Sequence, residues 1–163
     1  LYEHARFVHI FSVTLFFANA VIGILWEWRS LSTGEKGIIL HTYRTVSWLD
    51  ARLSSPLILL SLITAIMLSV MSGNIWEIGW QSMSLFLFIL SGLVWVIGDI
   101  PSQYRIKTLM QDAASGDREF PPELMTLLKN RIWISLAGMA PLVLTFLLMI
   151  YKPYITPPAE WFG

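Results

Sequence analysis

Four long apolar stretches dominate the pattern of hydrophobic and polar positions along the chain, at residues 6–28, 54–73, 79–100 and 131–152. A helix needs about 20 apolar residues to cross a hydrocarbon core of about 30 Å. These runs lack the alternation of a transmembrane β-barrel. The first run is too long for a cleavable signal peptide. We therefore predict an all-α integral membrane four-helix bundle, formed by a single transmembrane domain over residues 1–163.

The segments that connect these stretches differ in length and pattern. Only "NIWEI" (74–78) separates the second stretch from the third. The other two connections are long, and both are predicted to be helical. The residues "SQYRIKTLMQDA" (102–113) continue the third helix, and "PPELMTLLKN" (121–130) begins a new one with proline in its first turn. Before the second span, apolar residues recur at helical steps of three and four: Ile39, Tyr43, Val46, Leu49 and Leu53.

The distribution of lysine and arginine predicts the orientation. Arg6 and Lys152 lie on one side of the predicted membrane. Nine basic residues lie in or at the ends of the two long connections: Arg29, Lys36, Arg44, Arg52, Arg105, Lys107, Arg118, Lys129 and Arg131. Because cytoplasmic loops carry the excess of positive residues, we predict that both termini lie outside and that the helices extend into the cytoplasm. We expect a multi-pass protein of the bacterial inner (cytoplasmic) membrane.

Composition supports a lipid bilayer as the first partner. The chain is 55% hydrophobic and only 13% charged, whereas a soluble domain carries about 25% charged residues. Its net charge is zero, so no basic surface suggests nucleic acid. There is no cysteine, which excludes disulfides and thiolate metal sites built from this chain.

His9 is the clearest candidate for chemistry. Ionisable groups inside a membrane span are costly, so each is a functional hypothesis. His9 shares one helix face, which we call the inner stripe, with residues at steps of three or four: Ser12, Phe16, Asn19, Gly23 and Glu27. We expect the inner stripe to face the bundle interior. Three interpretations of His9 stay open: packing with a hydrogen bond to a carbonyl or hydroxyl, ligation of a metal such as haem iron, and proton handling.

The remaining histidines and methionines limit what His9 could bind. His4 lies outside the span and His41 lies at the other end of the bundle, so a site with two haems and four histidines is excluded. A second axial ligand would be a methionine, a water or a group from another subunit. The methionine candidates in neighbouring spans are Met67, Met71 and Met83.

We expect the other charged groups near the ends of the spans to be solvated and paired locally. The expected pairs are Glu27 with Arg29, Asp50 with Arg52, and Asp99 with Arg105. None of these groups resembles a nucleophile with its base. The residues therefore assign no enzymatic reaction.

The stretches "RFVHIFSVTLFFANAVIG", "VWVIGDIPSQYRIKTLMQDA" and "RIWISLAGMAPLVLTFLLMIYKP" resemble a bacterial family of predicted integral membrane proteins, domain of unknown function 2269. The layout is also similar to the membrane domain of copper-resistance D-type proteins. It is similar too to the small bacterial membrane protein that oxidises protoporphyrinogen IX. Both groups begin with a helix carrying a Leu-His-type motif, which "VHI" at His9 resembles. In the oxidase group that histidine binds haem b together with a lysine, and Ser84 stands where that lysine would be.

Three functional hypotheses follow. The resemblance implies a haem b-associated or redox-linked membrane protein with His9 as ligand. A bundle with few internal polar groups also suits a non-catalytic accessory subunit of a larger membrane complex, or a homo-oligomer. A metal-handling membrane protein is the third, with His9 as its metal ligand.

Overall fold

The structure, a computed structural model, describes residues 1–73, 75–114 and 121–160. Its helices are α1 (Tyr2–Thr33), α2 (Lys36–Leu49), α3 (Ser55–Ser72), α4 (Gly79–Val94), α5 (Ile100–Ala114) and α6 (Pro122–Tyr151). A π-helical turn at Asp50–Ser54 joins α2 to α3, and another at Trp95–Asp99 joins α4 to α5.

Within the described residues these elements form four continuous helices that are long and apolar enough to cross a membrane: Tyr2–Thr33, Lys36–Ser72, Gly79–Gln111 and Pro122–Tyr151. Each contains most or all of one apolar stretch of the sequence. The prediction of an all-α, multi-pass four-helix bundle is therefore confirmed. The predicted helical continuations before the second span and after the third are also present, and α6 begins at Pro122 as the pattern indicated.

Within the spans, the interior of the bundle is small and polar, and the exterior is apolar. α1 packs mainly against α3, and α4 against α6. Buried span positions are occupied by hydroxyl residues: Ser12, Ser61, Thr64, Ser69, Ser84, Ser91 and Thr145. Small side chains let the helices approach closely, and the Ser91 hydroxyl donates to the Gly138 carbonyl at 2.6 Å, which links α4 to α6.

The buried hydrophobic core lies instead where α2, α5 and the start of α6 meet. Its members are Ile39, Tyr43, Ile106, Met110, Leu124 and Leu128. Ile39, Tyr43 and Val46 are all buried, so the apolar face predicted for α2 is confirmed at these positions. This core holds the helix extensions together at one end of the bundle.

At the other end, the chain after α6 folds over the start of α4. The Ala159 amide donates to the Trp76 carbonyl at 3.2 Å. A Cβ atom at Gly79 would lie 2.0 Å from the carbonyl oxygen of Ile155. Only glycine therefore permits this contact between the C-terminal segment and α4.

Candidate ligand cavity and buried ion cluster

A cavity of about 530 Å³ lies between α1, α3, α4 and α6. Ligand sites in proteins have volumes of about 300–1,000 Å³ and mostly apolar walls. The walls here are largely apolar and include Val13, Phe16, Phe17, Leu62, Phe88 and Leu142. The cavity therefore has the size and the lining of a small-molecule site.

His9 lines this cavity, and its ring is held by α3. Nδ1 lies 3.0 Å from the carbonyl oxygen of Ser61 and 3.1 Å from the Thr64 hydroxyl. Because a carbonyl oxygen only accepts, Nδ1 carries the hydrogen, and Nε2 of the neutral ring carries a lone pair. The Thr64 hydroxyl donates to the Leu60 carbonyl at 2.7 Å, which leaves it free to accept from Nδ1.

This hydrogen bond is consistent with two of the three interpretations of His9, packing and metal ligation. It is the contact that a packing histidine needs. It is also the contact by which a metal-ligating histidine fixes its tautomer and orientation, with the second ring nitrogen left as the donor.

Ser84 contributes an unpaired polar group to the α4 wall of the same cavity. The residue is 4% exposed, and among the described residues its hydroxyl has no hydrogen-bond partner. A buried polar group without a partner costs about 1–3 kcal/mol. By contrast, the nearby Gln81 side chain accepts from Ser69 at 2.8 Å and donates to Ser72 at 3.1 Å. Ser84 therefore places an unsatisfied hydroxyl within the α4 wall of the cavity.

Two basic side chains line the cavity at its exposed end. Arg6 belongs to the second turn of α1, and Lys152 directly follows α6. The Lys152 ammonium lies 5.5 Å from the centre of the Trp80 ring. Apolar walls with two cations at one end suit a ligand that is mostly apolar and carries an acidic group.

The rest of the inner stripe lies outside the cavity lining, except for Phe16. The Ser12 hydroxyl donates to the Val8 carbonyl of its own helix at 2.7 Å. The Asn19 amide donates to the Ser54 hydroxyl at 2.8 Å. A Cβ atom at Gly23 would lie 3.4 Å from the Val46 side chain. Asn19 and Gly23 therefore join α1 to the Asp50–Ser54 turn and to α2, whereas Ser12 bonds within α1.

The three methionines named as candidate second ligands lie in the neighbouring spans, outside the lining of the His9 cavity. Met67, Met71 and Met83 do not line the cavity, whereas Met149 of α6 does. His4 is exposed and also lies outside the lining. Over residues 1–73, 75–114 and 121–160, no three His, Cys, Asp or Glu side chains are arranged to hold a metal ion.

A buried ion cluster, formed by Arg131, Glu27, Asp50 and Asp99, occupies the opposite end of the bundle. Arg131 Nε donates to Asp99 at 2.9 Å and Nη2 donates to Asp50 at 3.3 Å. Nη1 donates to Glu27. The Arg131 side chain is 3% exposed and that of Asp99 is 1% exposed. The guanidinium carbon also lies 5.0 Å from the centre of the Tyr43 ring.

Each of the four spanning helices contributes one residue to this cluster, so the predicted local pairs are wrong. Residues two apart on a helix point to different sides, so Glu27 and Arg29 do not face each other. Asp50 begins one π-helical turn and Asp99 ends the other, and such turns often mark functional positions. Arg105 forms its ion pair with Glu123 of α6 instead of Asp99.

The sequence contained a signal for the ion cluster that local spacing could not reveal. Three acidic residues lie at the ends of three apolar stretches, and Arg131 begins the fourth. In an antiparallel bundle these four positions meet at one end. Considering the charged residues at this end of all four helices together would have predicted the cluster.

Comparison with known protein families gives a match over most of the chain. A family model described as "Predicted integral membrane protein (DUF2269)" matches residues 3–153. No curated protein and no solved structure matches the chain.

Proposed function

We propose that this chain, which belongs to the DUF2269 family of predicted integral membrane proteins, binds a mostly apolar, acidic small molecule in the His9 cavity, and that this ligand is haem b. The observation that carries the proposal is an imidazole of defined tautomer in a cavity of ligand size. The two cations that line the exposed end of the cavity, Arg6 and Lys152, support it.

The residues of the cavity fit haem b in kind. His9 Nε2 would hold the haem iron, because Nδ1 is committed to the Ser61 carbonyl. Arg6 and Lys152 would meet the two carboxylates, and the thioether of Met149 is the methionine that the lining offers. When bound, haem would supply one-electron redox chemistry. The chain itself would bind the ring, exclude water with apolar walls, and orient the imidazole.

A titration with haem b tests the proposal directly. The purified full chain in lipid nanodiscs is titrated while the Soret absorbance is followed. We expect saturation at one haem per chain, and loss of the ligated spectrum in His9→Ala. His41→Ala is the matched control, because His41 is exposed on α2 at the other end of the bundle. Identical titrations of wild type and a folded His9→Ala variant would contradict the proposal.

The two basic residues give a second, graded test. Each exposed charge pair contributes up to about 1 kcal/mol, so the double variant Arg6→Gln/Lys152→Gln should weaken haem binding by about tenfold. Lys129→Gln removes an exposed charge at the other end and should leave the affinity unchanged. Equal affinities of wild type and both variants would show that Arg6 and Lys152 do not bind the carboxylates of the ligand.

The two alternatives make different demands. A metal-handling protein needs further donors beside His9, and the lining of the same cavity offers the thioether of Met149. An accessory subunit needs a partner, so the mass of the protein extracted in mild detergent should exceed that of one chain. A colourless, ligand-free protein that co-purifies with another membrane protein would favour the accessory subunit over the haem proposal.

A further inference from the structure

The ion cluster holds more negative than positive charge. We propose that it is a proton-binding site and that Glu27 is the carboxylate that takes the proton. This inference is independent of the His9 cavity, which lies at the other end of α6.

The first argument is the charge count. Arginine stays protonated in proteins, so Arg131 contributes one positive charge against the three carboxylates that it contacts. With all three ionised, an excess of two negative charges would be buried. Uncompensated charge in a low-dielectric interior is very costly, and a buried group usually neutralises instead. Binding of a proton by one carboxylate would reduce the excess negative charge of the cluster.

The contacts of the three carboxylates distinguish between them. Asp99 accepts from Arg131 Nε through one oxygen and from the Gln103 amide through the other. Asp50 accepts from Arg131 and from the Ser54 hydroxyl, and its side chain is 22% exposed. Glu27 is less exposed than Asp50, at 9%. Unlike Asp99, it has one oxygen, Oε1, engaged by Arg131, so that Oε2 remains for the proton.

A second cavity, next to Glu27, is about the size of one water molecule, a source for the proton. It is lined by Glu27, Ser30 and Tyr43 and has a volume of about 10 Å³. A cavity of about 10–15 Å³ holds one water molecule. It lies beside Glu27, and its other lining residues are Leu31, Ile39 and Leu128.

The elements around Glu27 present charged or titratable groups that affect its protonation. α2 presents Tyr43, the two π-helical turns present Asp50 and Asp99, and α6 presents Arg131. A proton from water adds to one Glu27 oxygen, and no other covalent bond forms or breaks. The excess charge then falls from two to one, and the contact of Arg131 with α1 loses its ionic character. Proton binding would thus weaken the attachment of one spanning helix to the other three.

Infrared difference spectroscopy of the full chain in nanodiscs tests this site. As the pH is lowered across the neutral range, we expect the carbonyl stretch of a protonated carboxyl group to appear. Glu27→Gln should remove this band, whereas Glu27→Asp, which keeps a carboxyl group, should shift it. Glu35→Gln is the control, because Glu35 is exposed at the start of α2.

The wild-type spectrum shows whether a carboxyl group titrates near neutral pH. The spectra of the variants show which residue carries that group. Absence of the band in wild type would overturn the proposal. A band that persists in Glu27→Gln, or that does not shift in Glu27→Asp, would overturn the assignment to Glu27.

Discussion

We expect the replacement of Arg131 by alanine to reduce the stability of the protein strongly. The variant leaves three carboxylates at one end of the bundle without their shared cation. It also removes the contact of the guanidinium with the Tyr43 ring. The other three spanning helices lose their common partner on α6, because each of them contributes one carboxylate to the ion cluster.

The expected loss of stability follows from the burial of Arg131 and its partner Asp99. Removal of one partner from a buried ion pair costs about 3–5 kcal/mol. Arg131 is 3% exposed and Asp99 is 1% exposed, so this range applies. The carboxylates can relieve part of the repulsion by taking up protons, which keeps the loss from growing with each contact. We therefore expect the free energy of unfolding to fall by about 3–5 kcal/mol, at least a hundredfold in the equilibrium constant.

Arg105→Ala is the matched control. Arg105 also pairs with a glutamate, Glu123, and also links two helices, but the two side chains are 66% and 47% exposed. Exposed pairs contribute about 0–1 kcal/mol. Arg131→Lys should lie between the two alanine variants, because lysine keeps the charge and loses the planar array of donors.

Unfolding by a denaturing detergent, followed by far-ultraviolet circular dichroism, measures these differences. The refuting result is a similar loss for Arg131→Ala and Arg105→Ala. That outcome would mean that the ion cluster contributes no more to stability than an exposed pair.

Two further predictions concern the opposite end of α4 and the orientation of the chain. Gly79→Ala should destabilise the fold by about 1–3 kcal/mol because its Cβ would collide with the Ile155 carbonyl, whereas Gly92→Ala, in open space, should be neutral or stabilising in the same unfolding assay. The chain has no cysteine, so single cysteines can report topology: an impermeant thiol reagent should label Tyr154→Cys from outside intact spheroplasts and should leave Arg44→Cys unlabelled. The reverse labelling would contradict the predicted orientation.

Much of the fold follows from the sequence because lipid imposes a simple rule. Apolar runs of about 20 residues must become helices, and all four did. The apolar face of α2 was also readable, because Ile39 and Tyr43 recur at helical spacing. These features depend on one helix at a time.

The sites depend on several helices together, and sequence reasoning reached them unevenly. The contacts of Arg131 join residues that are 32, 81 and 104 positions apart, which no local spacing indicates. The cavity arises from gaps between side chains of four helices, so Arg6 and Lys152 appeared only as markers of orientation. His9 was identified because a histidine inside a span is rare, but its tautomer required the Ser61 carbonyl.

The visible spectrum of the protein, purified in mild detergent from cells with ample haem, tests the central claim most directly. It should be recorded before and after reduction with dithionite. We expect a Soret band, with sharp α and β bands on reduction, and loss of these bands in a folded His9→Ala variant. A colourless wild-type protein with its helical content intact would contradict the assignment of haem b to the His9 cavity.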